Sequence, residues 1–476
     1  MSDHLFSDNS LARFHEAAVR VLSTMGYKVE NEELLRRCEK FGCQVDYARE
    51  VAVMPPEVIQ RALDLARNLT PEGRARREAR HRTAAPGVTV GAGGTPQVYL
   101  DPDTGDRRPA KRTDLERMFK LAASLPGVGA TIPPVIMSDS PPLLEAIEAA
   151  AMMIELVPPE RVGAVETFHP SQLPFIIEIG EIFTGKAKSP RFVSVGNCPT
   201  SPLIFGRRTA DLALARSPYN AHFALPTMPL SGANAPITRA GTIVIGVAEI
   251  VGGCVIAKAM REDTSFSATT ISGILDMRTG RICFCTPEVV VQDLGIYETC
   301  DRLLELPMGI YPAYVDAKVP GMQAVWEKTF KQSVMAKYAY WGCHDGSLDA
   351  AKVCSPLQIA IDVELARPLE KLYEPVDMGD EALAVDLIRE VAWESGAYMS
   401  CEQTVSRSHT EFWYPAFLDR TNWTTPDEEA KKSRAILERA NDAWRDAVRR
   451  YTPPALADDK RKALRTVVER ARKVLA

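Results

Sequence analysis

The chain has 476 residues, 57 Lys+Arg against 62 Asp+Glu for a net charge of −5, and is 46% hydrophobic and 25% charged. That balance excludes a disordered chain, because it holds enough apolar material for a large core. It also speaks against a nucleic-acid binder, whose phosphate contacts leave a basic imprint, and the length admits one large domain with extensions or two to three domains.

The opening residues, MSDHLFSDNS, are polar and lack the apolar run of a secretory signal, so a cytoplasmic protein is expected. The first 70 residues read as helices. Leu11, Phe14, Ala18, Val21, Leu22 and Met25 recur at helical spacing up to Gly26. A second helix runs from Glu32 to Lys40 before Gly42. A third follows Pro55-Pro56 with Val58, Ile59, Ala62, Leu63 and Ala66 on one face. The basic stretch 71–83, PEGRARREARHRT, reads as a solvated linker, and residues 1–85 together as an N-terminal helical extension.

Residues 87–101, GVTVGAGGTPQVYLD, read as a hairpin. Their glycine cluster is no phosphate loop, because Pro96 stands where the third glycine of GxGxxG is needed. From residue 128 short β-rich runs alternate with helical segments. The runs are 128–133, 162–168, 191–197, 222–226, 265–271, 309–315, 339–345 and 397–401. Eight such units are the arithmetic of an α/β fold of the TIM (β/α)8 barrel type, expected over residues 86–420, with C-terminal helices over 421–476. The longest apolar stretch, Gly241 to Met260, is broken by Glu249 and three glycines and reads as a buried core helix, so no membrane span is expected. Gly180 to Ala187 nearly matches a P-loop but follows a helix, and reads as a helix end at Gly185. The ten Cys show no CxxC pair and the seven His no HExxH spacing, so no metal is expected.

A barrel carries its site at the C-terminal strand ends. Those ends hold Glu166, Phe168 and His169; Asn197; Tyr314 and Asp316; Trp341, His344 and Asp345; and Glu402. Acids and aromatic rings together suit a quaternary ammonium, and they are also common in carbohydrate sites.

Several blocks, in order, resemble one family: FHEAAVRVLSTMGYKVENEELL, GAGGTPQVYLDPDTGDRRPA, CPTSPL (198–203), MPLSGANAPITRAG (228–241), GILDMRTG (273–280), VDAKVPGMQA (315–324) and EFWYPAFLDR (411–420). The sequence is similar to the trimethylamine:corrinoid methyltransferase family, in its branch without pyrrolysine. The resemblance runs over nearly the whole chain. It implies a TIM barrel in one-carbon metabolism that passes a methyl group from an amine to the Co(I) corrinoid of a separate corrinoid protein. Cobalamin is then presented by that partner rather than bound permanently, and the chain has no DxHxxG corrinoid-ligating motif, with Gly342 two residues before His344.

The founding members carry pyrrolysine near the segment matching VDAKVP, where this chain has standard residues. A quaternary amine needs no special electrophile, because it leaves as a neutral tertiary amine. Glycine betaine is therefore the expected donor, with carnitine, proline betaine or choline as alternatives. A non-catalytic betaine-binding barrel and a metal-dependent hydrolase are readings of other classes. On this basis His344, Asp316 and Glu402 are expected to be catalytic. Phe168, Tyr314 and Trp341 are expected to cage the cation, and His169, Asn197 and Glu166 to contact substrate. A homo-oligomer is expected, since large barrel enzymes commonly self-associate.

Overall fold

The computed structural model describes residues 4–67, 87–194, 196–311, 313–339, 341–372, 374–393 and 397–475, apart from the side chains of 87–89, 194, 341–344 and 397. The basic stretch 71–83 lies outside the described residues.

The centre is an α/β arrangement of eight short strands. They are β1 (Gly87–Ala92), β2 (Val128–Thr131), β3 (Val165–Glu166), β4 (Val193–Ser194), β5 (Phe223–Thr227), β6 (Phe266–Thr270), β7 (Met308–Ile310) and β8 (Trp341–His344). The neighbour relations among them are parallel. β8 pairs with β1 and β1 with β2. β2 reaches the β3 segment through the Thr131–Val162 bridge, and β3 pairs with β4. The Gly196–Ala224 bridge leads to β5, which pairs with β6, and β6 pairs with β7.

Each strand is followed by a helix. These are α1 (Arg112–Ser124), α2 (Glu145–Leu156), α3 (Leu173–Thr184), α4 (Arg207–Arg216), α5 (Arg239–Met260), α6 (Pro287–Glu298), α7 (Met322–Ala339) and α8 (Pro356–Leu372). Local chemistry sets several ends. Thr238 caps α5 by accepting from Gly241 N at 3.2 Å, and Thr286 caps α6, which has Pro287 at its first position. Gly185, at φ 70°, closes α3, so the near P-loop is a helix end.

Two expected strands are corrected. Residues 87–101 are not a hairpin: β1 lies between β8 and β2, while Val98–Leu100 pairs with Arg107–Pro109 and with Val353–Cys354. The run 397–401 is not a strand, since Ala397–Ser400 forms a 3-10 turn. The expected first strand is thus the second, and the six runs that follow it become the third to eighth strands.

The N-terminal region is not purely helical. Three helices, Asp8–Thr24, Glu32–Phe41 and Pro56–Ala66, accompany strands Tyr27–Val29, Gln44–Asp46 and Val51–Val53. Ile204–Phe205, from the loop after β4, adds a parallel fourth strand beside Tyr27–Val29. This layer covers α5, and one core joins Leu22, Tyr27 and Leu34 with Val247, Val251 and Leu225. Adjacent glycines on α5 face opposite neighbours. A Cβ on Gly252 would stand 2.4 Å from the Tyr27 ring, and one on Gly253 would stand 2.0 Å from Leu225 Cδ1. A helix packed so closely on two sides is apolar all round. That accounts for the one described helix long and apolar enough to cross a membrane, since most of it is buried in the protein.

The C-terminal helices Pro426–Arg449 and Asp458–Leu475 pack on the helical outside, through Trp444, Leu464 and Val467. Buried Glu148 on α2 ties the second of them in, pairing with Arg472 at 2.5 Å, and also pairs with Arg112 of α1 at 2.9 Å.

Candidate functional site

Parallel strands put their carbonyl ends on one side, and the loops there build the site. The loop after β1 carries Gly93, Gly94 and Thr95, all at positive φ. Gly94 is needed for close approach: a Cβ there would lie 3.0 Å from Asp345 Oδ2 and 3.4 Å from Tyr311 Oη. Next to it, Thr95 Oγ1 donates to Glu166 Oε2 at 3.0 Å. One short loop therefore touches both acids.

Asp345 follows β8 and is 3% exposed. Tyr311 donates its phenol hydrogen to Asp345 Oδ2, and Asp345 Oδ1 accepts from Ser347 Oγ at 2.5 Å and Ser347 N at 3.0 Å. Burial raises the Asp345 carboxyl above the usual range, opposed by the Lys328 charge and by these hydrogen bonds. Burial likewise raises Glu166, opposed by the Thr95 bond and the charge of Arg208.

Aromatic rings adjoin the acids. Tyr314 stands edge-on to Tyr311 with centroids 5.7 Å apart, and tilted to Phe284 at 5.2 Å. Burial, then the charges of Asp345, Cys198 and Glu166, pushes the Tyr314 phenol up to about 12. The contacts of Thr95 with Glu166, of Gly94 and Tyr311 with Asp345, and of Tyr311 with Tyr314 bring the end of β3 and the loops after β1, β7 and β8 to one mouth.

Cys198 is open to solvent on that mouth. Desolvation by the surrounding protein, with Glu166 next in size, pushes its thiol up to about 11. The thiolate is the nucleophile, so alkylation at pH 8 should run about a hundredfold slower than at an ordinary exposed thiol. Glu166→Gln should speed it. Site-resolved mass spectrometry after timed iodoacetamide labelling checks this, and an ordinary rate at Cys198 would refute the assigned environment.

The other expected residues divide. Glu166 and Tyr314 are brought together at the mouth. Asp316 is spent on the backbone: its carboxylate accepts from Phe284 N at 2.9 and 3.1 Å and from Cys285 N at 3.0 Å, which fixes Phe284 against Tyr314. Asn197 is fully buried, donating to Ala224 O at 2.8 Å and accepting from Arg216, and so faces the sheet rather than a ligand. His169 is exposed and caps the turn 170–172, its Nδ1 accepting from Ser171 N at 3.2 Å. The Phe168 ring already has the Arg208 guanidinium over it, at 5.8 Å. Glu402 is exposed in the first turn of the helix Glu402–Glu411, and it follows a 3-10 turn rather than the expected eighth strand. The side chains of Trp341 and His344 lie outside the described residues, although β8 carries both.

Sequence reasoning missed Tyr311, Phe284, Thr95 and Cys198 as site residues. Tyr311 was hidden inside the run 309–315 read as strand; β7 ends at Ile310, which makes Tyr311 the first residue beyond it. Among the described residues no group of three or more His, Cys, Asp or Glu is arranged to hold a metal ion.

Comparison with known proteins gives a consistent result. A family model described as trimethylamine methyltransferase (MTTB) matches residues 2–476. The chain is 24% identical to trimethylamine methyltransferase MttB of Desulfitobacterium hafniense strain DSM 10664 / DCB-2, over 98% of this chain and 93% of that one. It is 23% identical to glycine betaine methyltransferase of Desulfitobacterium hafniense strain Y51, over 95% and 94%. Among solved structures, monomethylamine methyltransferase (MtmB) of Methanosarcina barkeri aligns with a TM-score of 0.51 at 11% identity, covering 94% of this chain and 88% of that one. That likeness concerns the fold alone.

Proposed function

Because the chain belongs to the trimethylamine methyltransferase (MTTB) family and is a methyltransferase, we propose that it takes a methyl group from a quaternary ammonium compound, glycine betaine first among them, and delivers it to the Co(I) corrinoid of a separate protein. In the same reading β7 and β8 meet, and the eight parallel strands close a (β/α)8 barrel with this mouth at its active end.

One observation carries the choice of a cationic donor. Two desolvated carboxylates, Glu166 and Asp345, flank Tyr311 and Tyr314. Rings offer a negative face to a cation, and buried acids add charge that water does not screen. A trimethylammonium group fits both, since it cannot form hydrogen bonds and is held by charge and contact alone.

The chemistry asks little more of the chain. The N–CH3 bond breaks with its electron pair staying on nitrogen, which leaves as a neutral tertiary amine, and the cobalt electron pair forms the new bond to carbon. The protein holds the cation, aims one methyl out of the mouth and excludes water. Arg208, whose charge reaches Glu166, is the group available to a betaine carboxylate.

The test is methylation of a Co(I)-corrinoid protein followed by absorbance, with a panel of glycine betaine, carnitine, proline betaine, choline and trimethylamine. Turnover with a quaternary amine, and none with trimethylamine, supports the proposal. Failure with every quaternary amine overturns it.

A further inference from the structure

The face that α7 buries is charged where a packed helix is usually apolar. Glu327, Lys328 and Lys331 fall together on it and are 5%, 0% and 0% exposed. Such side chains are almost never fully buried unless paired. Lys328 pairs with Asp362. Glu327 and Lys331 are spent on backbone, and it is the backbone of the mouth.

Lys331 Nζ donates to Phe284 O at 3.0 Å and to Tyr314 O at 3.3 Å. Glu327 Oε2 accepts from Asp316 N at 2.8 Å and from Ala317 N at 2.9 Å. The Cys285 thiol donates to Glu327 O at 3.3 Å. Phe284 belongs to the segment after β6 and Tyr314 to the loop after β7, so one ammonium bridges the two segments that carry the rings. Asp316 joins them in the opposite sense, accepting from Phe284 N and Cys285 N. Phe284 is thereby held at both its N–H and its C=O.

The rings form a series. Buried Phe284 stands behind half-buried Tyr314, with centroids 5.2 Å apart. Tyr314 is edge-on to Tyr311, which donates to Asp345. The place of the Tyr314 ring therefore depends on the ring behind it, and that ring on the lysine. Hydrogen bonds from an ammonium are about twice as strong as neutral ones. Asp293 on α6 balances the buried charge. It is 0% exposed, and its Oδ1 accepts from Thr270 Oγ1 at 3.1 Å and from Ser272 N at 2.7 Å. The Lys331 charge opposes the rise that burial imposes on the Asp293 carboxyl.

We propose that Lys331 is a positioning residue that fixes where the Phe284–Tyr314 wall stands, and so sets the size of the ammonium head that the mouth admits. It touches no substrate. Without its two hydrogen bonds Phe284 withdraws, Tyr314 leans back, and the pocket widens toward bulkier cations. This rests on the reading of the mouth as a quaternary-ammonium site.

The test is a ratio of affinities, from isothermal titration with tetramethylammonium and tetraethylammonium. In the wild type the smaller cation should bind about tenfold more tightly or better, a margin on the scale of one ring contact. Lys331→Met keeps the length of the side chain and removes the donors. Tetramethylammonium should then bind about tenfold more weakly while tetraethylammonium holds its affinity, so the preference disappears. A variant that merely folded less would lose binding sites and keep the wild-type ratio. Lys331→Met combined with Asp293→Asn leaves no lone charge buried. It should lose the preference in the same way, with unchanged far-UV circular dichroism. A folded double variant with the wild-type ratio would overturn the proposal. So would a double variant that does not fold, because the lysine would then serve the fold alone. A wild type that binds neither cation would overturn the reading of the mouth itself, and this inference with it.

Discussion

Asp345→Asn should weaken binding of a quaternary amine about a hundredfold, equivalent to about 2.7 kcal/mol. The change keeps the shape and removes the charge that faces the mouth beside Tyr311 and Tyr314. Tyr311 and Ser347 also lose hydrogen bonds to an ionised acceptor, each of which contributes about 1.5–3 kcal/mol. Isothermal titration with glycine betaine checks this, and affinity within threefold of wild type would remove Asp345 from the site. The wild type carries a linked pH dependence. A cation binds the ionised acid, and burial raises the carboxyls of both Asp345 and Glu166. Affinity should therefore be full at high pH and fall as pH drops. The fall should begin above the ordinary carboxylate range, and in Asp345→Asn only the Glu166 part of it should remain.

Lys328→Met should cost about 3–5 kcal/mol of folding stability. Lys328 Nζ and Asp362 Oδ2 are 2.8 Å apart with both side chains 0% exposed. Asp362 also accepts from Gln358 Nε2 at 2.7 Å and from Gly346 N at 2.8 Å, so it anchors the turn directly after Asp345. Removing the lysine leaves a carboxylate sealed from water without its countercharge. Lys328→Met combined with Asp362→Leu should recover part of the loss, because no lone charge is then buried. Recovery stays incomplete, since Gly346 N–H loses its acceptor, at about 1–3 kcal/mol. Denaturant unfolding of the wild type, both single variants and the double variant measures the coupling. Additive losses would show that the pair does not act as one unit.

The contrast between the strand-end acids that reach the mouth and those that do not shows what a sequence carries. Seven of the eight parallel strands were readable because each is a β-rich run followed by a helical pattern. β1 was not, because GVTVGA runs into Gly93 and Gly94, and glycines beside a short strand look like a turn. In its place the apolar run 397–401 stood in for an eighth strand, which carried Glu402 to the rim on paper but to an exposed helix start in the fold. Asn197 and Asp316 do stand at strand ends. What no one-dimensional reading supplies is their partners: Ala224 and Arg216 for one, the backbone of 284 and 285 for the other. Long-range pairing decides whether a polar side chain is spent or free. Glu166 and Tyr314 reach the mouth because their strands end where the alternation ends.

The covering of α5 has a consequence for how the protein is made. The N-terminal layer leaves the ribosome before α5, with the face built from Leu22, Tyr27 and Leu34 still lacking the helix it will pack on. Roughly 190 residues separate the end of that layer from the end of α5, which is about 10–40 s of translation at 5–20 residues per second. For that interval the nascent chain presents an unfilled apolar groove, and nascent-chain binding factors should engage it there. When α5 emerges, the one described helix long and apolar enough to cross a membrane finds its own groove already synthesised, ahead of any membrane-targeting machinery that reads the same apolarity.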